Sequence, residues 1–417
     1  MDNPAFAAIL RAMEMDSDIV IVGGGLGGPA LALALAQRGL GVTVVDALPR
    51  EGRANSDFDG RAYALAMASV RLLRRLGVWA GIEDRTQPML EIKVSDGRAG
   101  AGPLTPFALH FDHAELEEGP MGHMCEDRVL RPALLDAMDA EGRITTISGD
   151  AVTAQQVDST GATLTLASGR SLRTRLIVGA DGRASGTAQR AGITRTGWSY
   201  GQTALVCAVA HELPHHGIAH QFFMPSGPLA ILPLPGNVSS IVWSERASTA
   251  AAFAALDDED FLAVLQPRFG DFLGDISIKG KRYTYPLGLS LANSLIAPRL
   301  ALVGDAAHGM HPIAGQGLNA GLRDVAALAQ VLGEARERGE DIADAGVLER
   351  YQRWRRFDIA ALAATTDFSN RLFSNDNPLL RGVRDLGMGA IQAAAPLRRA
   401  MMREAAGLTG DLPELMR

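Results

Sequence analysis

Residues 18–46 constrain the fold more than any other stretch of this 417-residue chain. Asp18–Val22 reads DIVIV, a short β-branched run. Glycines follow at once, then PALALALAQRG, a strong helix former, then GVTVVD, a second apolar run that ends in an acid. Strand, turn, helix and strand within about thirty residues is the length a parallel βαβ unit requires. Gly23, Gly25 and Gly28 stand in the spacing G-x-G-x-x-G, with Leu26 and Gly27 between them. The first glycine permits the tight turn, the second lets the backbone approach a pyrophosphate, and the third lets helix and strand pack closely. The helix start offers unpaired N–H groups and a partial positive charge to phosphates. Asp46 stands where a carboxylate accepts hydrogen bonds from an adenosine ribose. Pro29 falls in the first helical turn, where its missing N–H has no intrahelical partner anyway.

This fingerprint does not separate NAD from FAD. A second constellation far along the chain does. Arg299–Gly304 (RLALVG) reads as a buried strand that ends in Gly304-Asp305, and Gly315-Gln316-Gly317-Leu318-Asn319 opens a helix. An acid at a strand end binds a second sugar-like hydroxyl, and a glycine-rich helix start turns N–H donors toward an anion. FAD is long enough to use both sites, with its adenosine end near Gly23–Asp46 and its ribityl and flavin end near Asp305–Asn319.

The remaining sequence sets limits. Hydrophobic residues at 47% and charged residues at 21% suit a chain with a large core. A net charge of −7 argues against broad nucleic-acid binding. Cys125 and Cys207 form no C-x-x-C pair and no disulfide framework, so a reduced cytoplasmic compartment is expected. His308 and His311 lack a third ligand at metal-site spacing, and no metal is expected. No run of about 18 apolar residues spans a membrane. The start, MDNPAFAAILRAMEMD, is not a secretory signal and reads as an extension over 1–15.

Helical spacing predicts helices over Gly60–Leu76 and Asp127–Glu141. From Arg143 to Val178 the short runs ITTIS, AVTAQQV and ATLTLA, then LIVGADG, predict a small antiparallel meander before the chain returns to the main sheet. TALVCAVA, HQFFM, PLAILPL and SSIVWSE predict a separate antiparallel sheet, and helices dominate from Gly315 onward. The expected architecture is α/β: a Rossmann-like parallel sheet for FAD, interwoven with an antiparallel-sheet substrate domain, and a C-terminal helical region. The boundaries read as 16–85, 120–192 and 280–340 for the FAD-binding domain, 86–119 and 193–279 for the substrate domain, and 341–417 for the helices.

Three motifs in order, GGGLGG at Gly23–Gly28, VGADGRAS at Val178–Ser185 and GDAAHGMHP at Gly304–Pro312, resemble the class A flavoprotein monooxygenases, the group of para-hydroxybenzoate hydroxylase. GRAYALAMASVRLLRRLGVW, EDRVLRPAL, GPLAILPL, HPIAGQGLNAGLRDV and TDFSNRLFSND extend the resemblance to the ubiquinone-biosynthesis hydroxylases, from about Asp16 to the C-terminus. The resemblance implies that Arg61 and Arg128 reach FAD, that Asp181 and Gly182 border FAD and the path of a nicotinamide, and that Pro312 belongs to the flavin site. It also implies a hydroxylase that inserts one oxygen of O2 into the ring of a polyprenylated ubiquinone precursor through a flavin hydroperoxide. The electrons would come from NAD(P)H or a redox protein. Other readings stay open: another aromatic or polyprenyl substrate, or a non-catalytic quinone-binding flavoprotein of a biosynthetic assembly. No catalytic acid or base is legible. Pro378–Gly407 interleaves arginines with leucines and methionines. The pattern suits peripheral contact with the inner face of a membrane or with a membrane-bound partner. It equally suits a helical cap that closes the two domains with its methionines in the core.

Overall fold

Ile19, Val20 and Ile21 are fully buried in β1 (Ser17–Val22), as a strand covered on both faces demands. The computed structural model describes residues 15–54, 57–96, 109–311, 315–373 and 389–417. The proposed extension, apart from Met15, lies outside the described residues, and so does Pro312. α1 (Gly27–Gln37) and β2 (Val42–Asp46) complete the expected βαβ unit, with Ile21 opposite Val44 in parallel register. α1 is apolar around its whole circumference and accordingly buried from Gly28 to Ala36.

Gly60–Leu76 is not one helix. Ala62–Ala66 is a strand, β3, and only Met67–Arg75 is helical, α2. β3 pairs antiparallel with Gly122–Glu126, so that Ala64 faces Met124. Alanine's helix preference yields to this tertiary pairing. β4 (Glu91–Asp96) and β5 (Leu109–Asp112) leave for the second sheet, and β6 (Gly122–Glu126) returns. α3 (Asp127–Ala140) then crosses over to β7 (Ile144–Ser148). β7 joins the parallel sheet beside β2, with Val44 opposite Thr146. The meander is therefore β8 (Val152–Val157), β9 (Ala162–Leu166) and β10 (Ser171–Gly179), whose last part runs parallel to β1. A strand that follows a crossover helix returns parallel; ITTIS was indistinguishable from its neighbours by pattern alone.

After α4 (Gly186–Arg190) comes the antiparallel sheet of β11 (Arg195–His211), β12 (Ile218–Met224), β13 (Gly227–Leu234) and β14 (Val238–Arg246). One of its faces packs under α5 (Ala247–Ala254) and α6 (Asp258–Phe269) through Trp243, Phe261, Leu265 and Phe269. β15 (Ile276–Ala292) stays in this sheet for its full length, paired with β11. The chain thus returns to the parallel sheet at β16 (Ile296–Ala297) and β17 (Leu300–Leu302), later than residue 280. β18 (His308–Gly309), α7 (Gln316–Glu337), α8 (Ala345–Phe373) and α9 (Ala395–Ala405) follow. The parallel sheet is ordered β16-β17-β10-β1-β2-β7, and the antiparallel one β18-β15-β11-β14-β13-β12-β4-β5.

Candidate active site

The first glycine turn is built by backbone. A Cβ on Gly23, whose φ is +113°, would lie 2.4 Å from the Ala180 carbonyl oxygen, and one on Gly28 would lie 1.9 Å from that of Gly23. These two glycines are required by packing. Gly25 and Gly27 differ: a Cβ there would meet nothing within 4 Å. α1 starts with no side-chain cap and no acid in its first turn, so its leading N–H groups remain for an anion. Asp46 accepts the N–H of Gly24 and, at 2.7 Å, that of Leu48, which leaves acceptor capacity on both oxygens. Arg53 escaped the sequence reading. It is buried, donates to Gly24 O at 2.9 Å and to Ser148 Oγ at 2.7 Å, and stands 3.9 Å from Asp46.

The second turn is braced by side chains. Gly304 N–H donates to Asp324 Oδ2 at 3.0 Å, His308 Nε2 lies 2.6 Å from the same oxygen, and Arg355 Nε donates to Asp324 Oδ1 at 2.7 Å. Asp324 and His308 are fully buried and Arg355 nearly so. Burial pushes the Asp324 carboxyl up, but facing His308 and Arg355 outweighs it and holds the group below the usual carboxylate range. From the other side Arg195 donates to the carbonyls of Ala306 and Asp305. So held, the Asp305 side chain is exposed.

Gly315 caps α7 in the left-handed conformation, φ 63°, and a Cβ on it would press Ala64 Cβ at 2.9 Å. A Cβ on Gly317 would meet nothing. Asn319 spends its whole carboxamide inside the protein. Its oxygen accepts from Ala66 N–H and Ser69 Oγ, and its nitrogen donates to the carbonyls of Ala64 and Gly315. It ties the β3–α2 corner to the start of α7.

A cavity of about 1160 Å³ joins these turns. It exceeds the roughly 300–1,000 Å³ usual for one small ligand. Its lining includes Gly25, Leu26, Gly27, Gly182, Gly304, Asp305, Gly315, Gln316, Gly317, Leu318 and Asn319. Gly23, Gly28 and Asp46 stand behind that lining. Ser185 caps α4, and Asp181 braces that start, accepting from Ser185 Oγ and from Thr187 N–H and Oγ1. Arg61 pairs with Asp59 and Asp127 away from the cavity. Arg128 pairs with Glu126 and lines a separate hollow with Arg85. The arginine that reaches the cavity is Arg131, one turn further along α3, bound to Asp127 beside Tyr63. Beyond the turns the wall is apolar: Ile92, Val94, Phe111, Phe223, Leu232 and Met402 are examples. Among the described residues no cluster of metal-ligating side chains occurs.

Open space in front of Gly25, Gly27 and Gly317, two uncapped helix starts and a carboxylate at each turn fit FAD. The comparisons agree. Residues 16–366 match the family model of the FAD binding domain. Over 99% of its length the chain is 45% identical to "Ubiquinone hydroxylase UbiL" of Rhodospirillum rubrum, covering 95% of that protein. The chain belongs to this family of FAD-dependent monooxygenases. Within it, "3-demethoxyubiquinol 3-hydroxylase" of Escherichia coli is 37% identical over 94% of this chain and 99% of its own. The fold recurs in p-nitrophenol 4-monooxygenase PnpA of Pseudomonas putida, with a TM-score of 0.79 at 20% identity, covering 95% of this chain and 99% of that one.

Proposed function

We propose that this flavin hydroxylase acts on the ring of a polyprenylated ubiquinone precursor. The observation that carries the reading is the continuity of the cavity: it runs from the two glycine turns to a wide apolar sheet face without a partition. The relatives named as a ubiquinone hydroxylase and a 3-demethoxyubiquinol 3-hydroxylase, covered over 95% and 99% of their length, support it. FAD, when bound, activates O2 so that one oxygen atom enters the ring and the other leaves as water.

The chain's own residues bind and orient. The start of α1, with Gly25 and Gly27, receives the pyrophosphate; Asp46 holds the ribose and Asp305 the ribityl chain. The start of α7 directs N–H groups and its dipole at the ring system, where negative charge develops on reduction. The apolar sheet face excludes water from the reacting carbon. Electrons come from NAD(P)H or a redox protein.

The greasy tail leaves at a rim that is itself apolar. Phe368 and Met401 line the cavity yet are 65% and 39% exposed, and Leu397 on α9 is 50% exposed. No helix among the described residues is long and apolar enough to cross a membrane. The rim instead supports peripheral contact with a bilayer. Its basic character is smaller than the sequence suggests, because Arg398 pairs with Glu115 and Arg403 with Glu118. Arg381 and Arg384 lie outside the described residues.

The test is a turnover assay with 18O2, FAD-loaded protein, NAD(P)H or a reductase, and a polyprenylated phenol supplied in anionic vesicles. One 18O atom in the ring product, and flotation of the protein with the vesicles, are expected. Reduced flavin that consumes O2 without labelled product would overturn the hydroxylase reading for this substrate. Turnover without flotation would remove only the membrane contact.

A further inference from the structure

The apolar wall of the cavity carries one polar side chain of its sheet face, and its position has a chemical meaning. Residues alternate across a strand, so Ala219, Gln221 and Phe223 of β12 share a face. All three line the cavity. His220 also borders the cavity, but its ring turns to the opposite face, 4.5 Å from that of Phe272 and 5.8 Å from that of Phe222, where burial lowers its pKa to about 4. Gln221 stands in register between Val94 of β4 and Ala230 of β13, and Ala230 faces Val242 of β14. Val94, Ala230 and Val242 line the cavity as well. The carboxamide thus emerges in the middle of an apolar row, beside two alanines that leave it room.

No described residue forms a hydrogen bond with that carboxamide. Desolvating such a group without a partner is unfavourable. Of the polar side chains across the cavity, Thr365 donates to Ala361 O and Gln316 to Ala405 O, and Ser369 lines the helical side opposite the sheet. Along β12 the position is equally definite. Leu232 and Met89 pack with Ala62 and Ala64 of β3, at the end where the start of α7 abuts Ala64. At the other end Phe223 stacks on Phe373 with ring centroids 3.9 Å apart. Gln221 lies between these ends, about 7 Å from either same-face neighbour at 3.4 Å per residue.

We infer that Gln221 is the positioning residue for the substrate ring, taking a hydrogen bond from or giving one to a neutral ring oxygen, a hydroxyl or ether, while the apolar row holds the ring's flat faces and tail. A carboxamide offers both a donor and an acceptor, so it serves a phenol and its oxidised form alike. It does not neutralise a carboxylate. The charged side chains of the cavity, Arg131, Arg183 and Asp305, all come from the parallel-sheet half and its turns, and the antiparallel sheet face contributes none. A ring carrying a free carboxylate is therefore disfavoured at this wall.

This inference rests on the hydroxylase reading but is testable without turnover. FAD-loaded protein is titrated with a 4-alkylphenol, with the matching alkylbenzene and with the matching alkylbenzoate, and flavin absorbance reports binding. The parent should prefer the phenol to both analogues by tenfold or more. Gln221→Leu should bind FAD and melt as the parent does, hold the alkylbenzene at least as well, and lose the preference for the phenol. Gln221→Met, unbranched and of similar length, gives the same comparison should the leucine variant misfold. A parent without preference, a preference that survives in both variants, or failure of the phenol to bind would each overturn the role of Gln221. In 18O2 turnover, product formation by the parent with unaltered coupling in Gln221→Leu would overturn it too, while leaving the hydroxylase reading intact.

Discussion

The two glycine turns at one end of the cavity are made in different ways. The turn at Gly23–Gly28 largely supports itself: Gly23 and Gly28 close on backbone, and only Gly24 is held by side chains, those of Arg53 and Asp46. The turn at Gly304–Ala306 is held by side chains from afar, Asp324 on α7, Arg355 on α8 and Arg195 on β11, and Asn319 ties the helix start at Gly315 to the distant β3–α2 corner. A self-supporting turn is written locally and can be recognised in a window of a few residues. A braced turn depends on partners that sequence distance hides.

The largest effect should come from breaking the self-supporting turn. Gly28→Ala sets a methyl group 1.9 Å from a backbone oxygen that has nowhere to move. A loss of about 4 kcal/mol or more, seen as failure to accumulate folded protein or a collapsed urea midpoint, is expected. An alanine variant of near-parental stability would mean that the turn is softer than its contacts imply.

Breaking the brace comes next. Asp324→Asn leaves Arg355 buried with a poorer partner and should cost about 3–5 kcal/mol. Asp324 has a lowered folded-state pKa, so its contribution is present above its unfolded value, near 3.9, and is lost as pH falls through the folded value. Denaturant titrations from pH 7 down to pH 3 should therefore show a steeper acid loss for the parent than for the variant. Equal slopes would remove the charged brace from the account.

The smallest effects separate binding from folding. Asp46→Ala and Asp305→Ala should each weaken FAD by roughly 1.5–3 kcal/mol, about ten- to a hundredfold, measured by apoprotein reconstitution. Gly317→Ala should leave apoprotein stability within about 1 kcal/mol of the parent, because its Cβ meets no protein atom, yet reduce FAD affinity tenfold or more. A variant with full FAD content would place the flavin elsewhere in the cavity.

The same contrast explains what the sequence made legible. The βαβ unit, and the meeting of Gly25 and Gly27 with Asp305 and Gly315–Gln316 at one cavity, could be read because spacing and strand ends carry them. Arg53 could not, since only the fold brings it under Gly24. Asn319 lines the cavity at the start of α7, but its carboxamide is consumed by Ala64, Ala66, Ser69 and Gly315. Arg128 and Arg131 lie one helical turn apart on α3, and a one-turn difference in facing decides which of them sees the cavity. Gln221 was hidden in HQFFM because strand alternation shows two faces without saying which is covered by helices and which is left open.

The strand order also fixes when the site can exist. β1 and β2 leave the ribosome first, but β1 has no neighbour on its other side until β10 is made, and β10, paired with β9 over Ser171–Thr174, has none along Ile177–Gly179 until β17. Between them the chain must produce the whole of β11 to β15, an antiparallel sheet of its own. The nucleotide turn therefore waits through most of synthesis beside an unfinished sheet edge, the kind of edge that other chains can pair with. FAD capture belongs to the last act of folding, after α7 has emerged, and a nascent chain stalled before residue 316 carries the recognisable fingerprint with no complete place to use it.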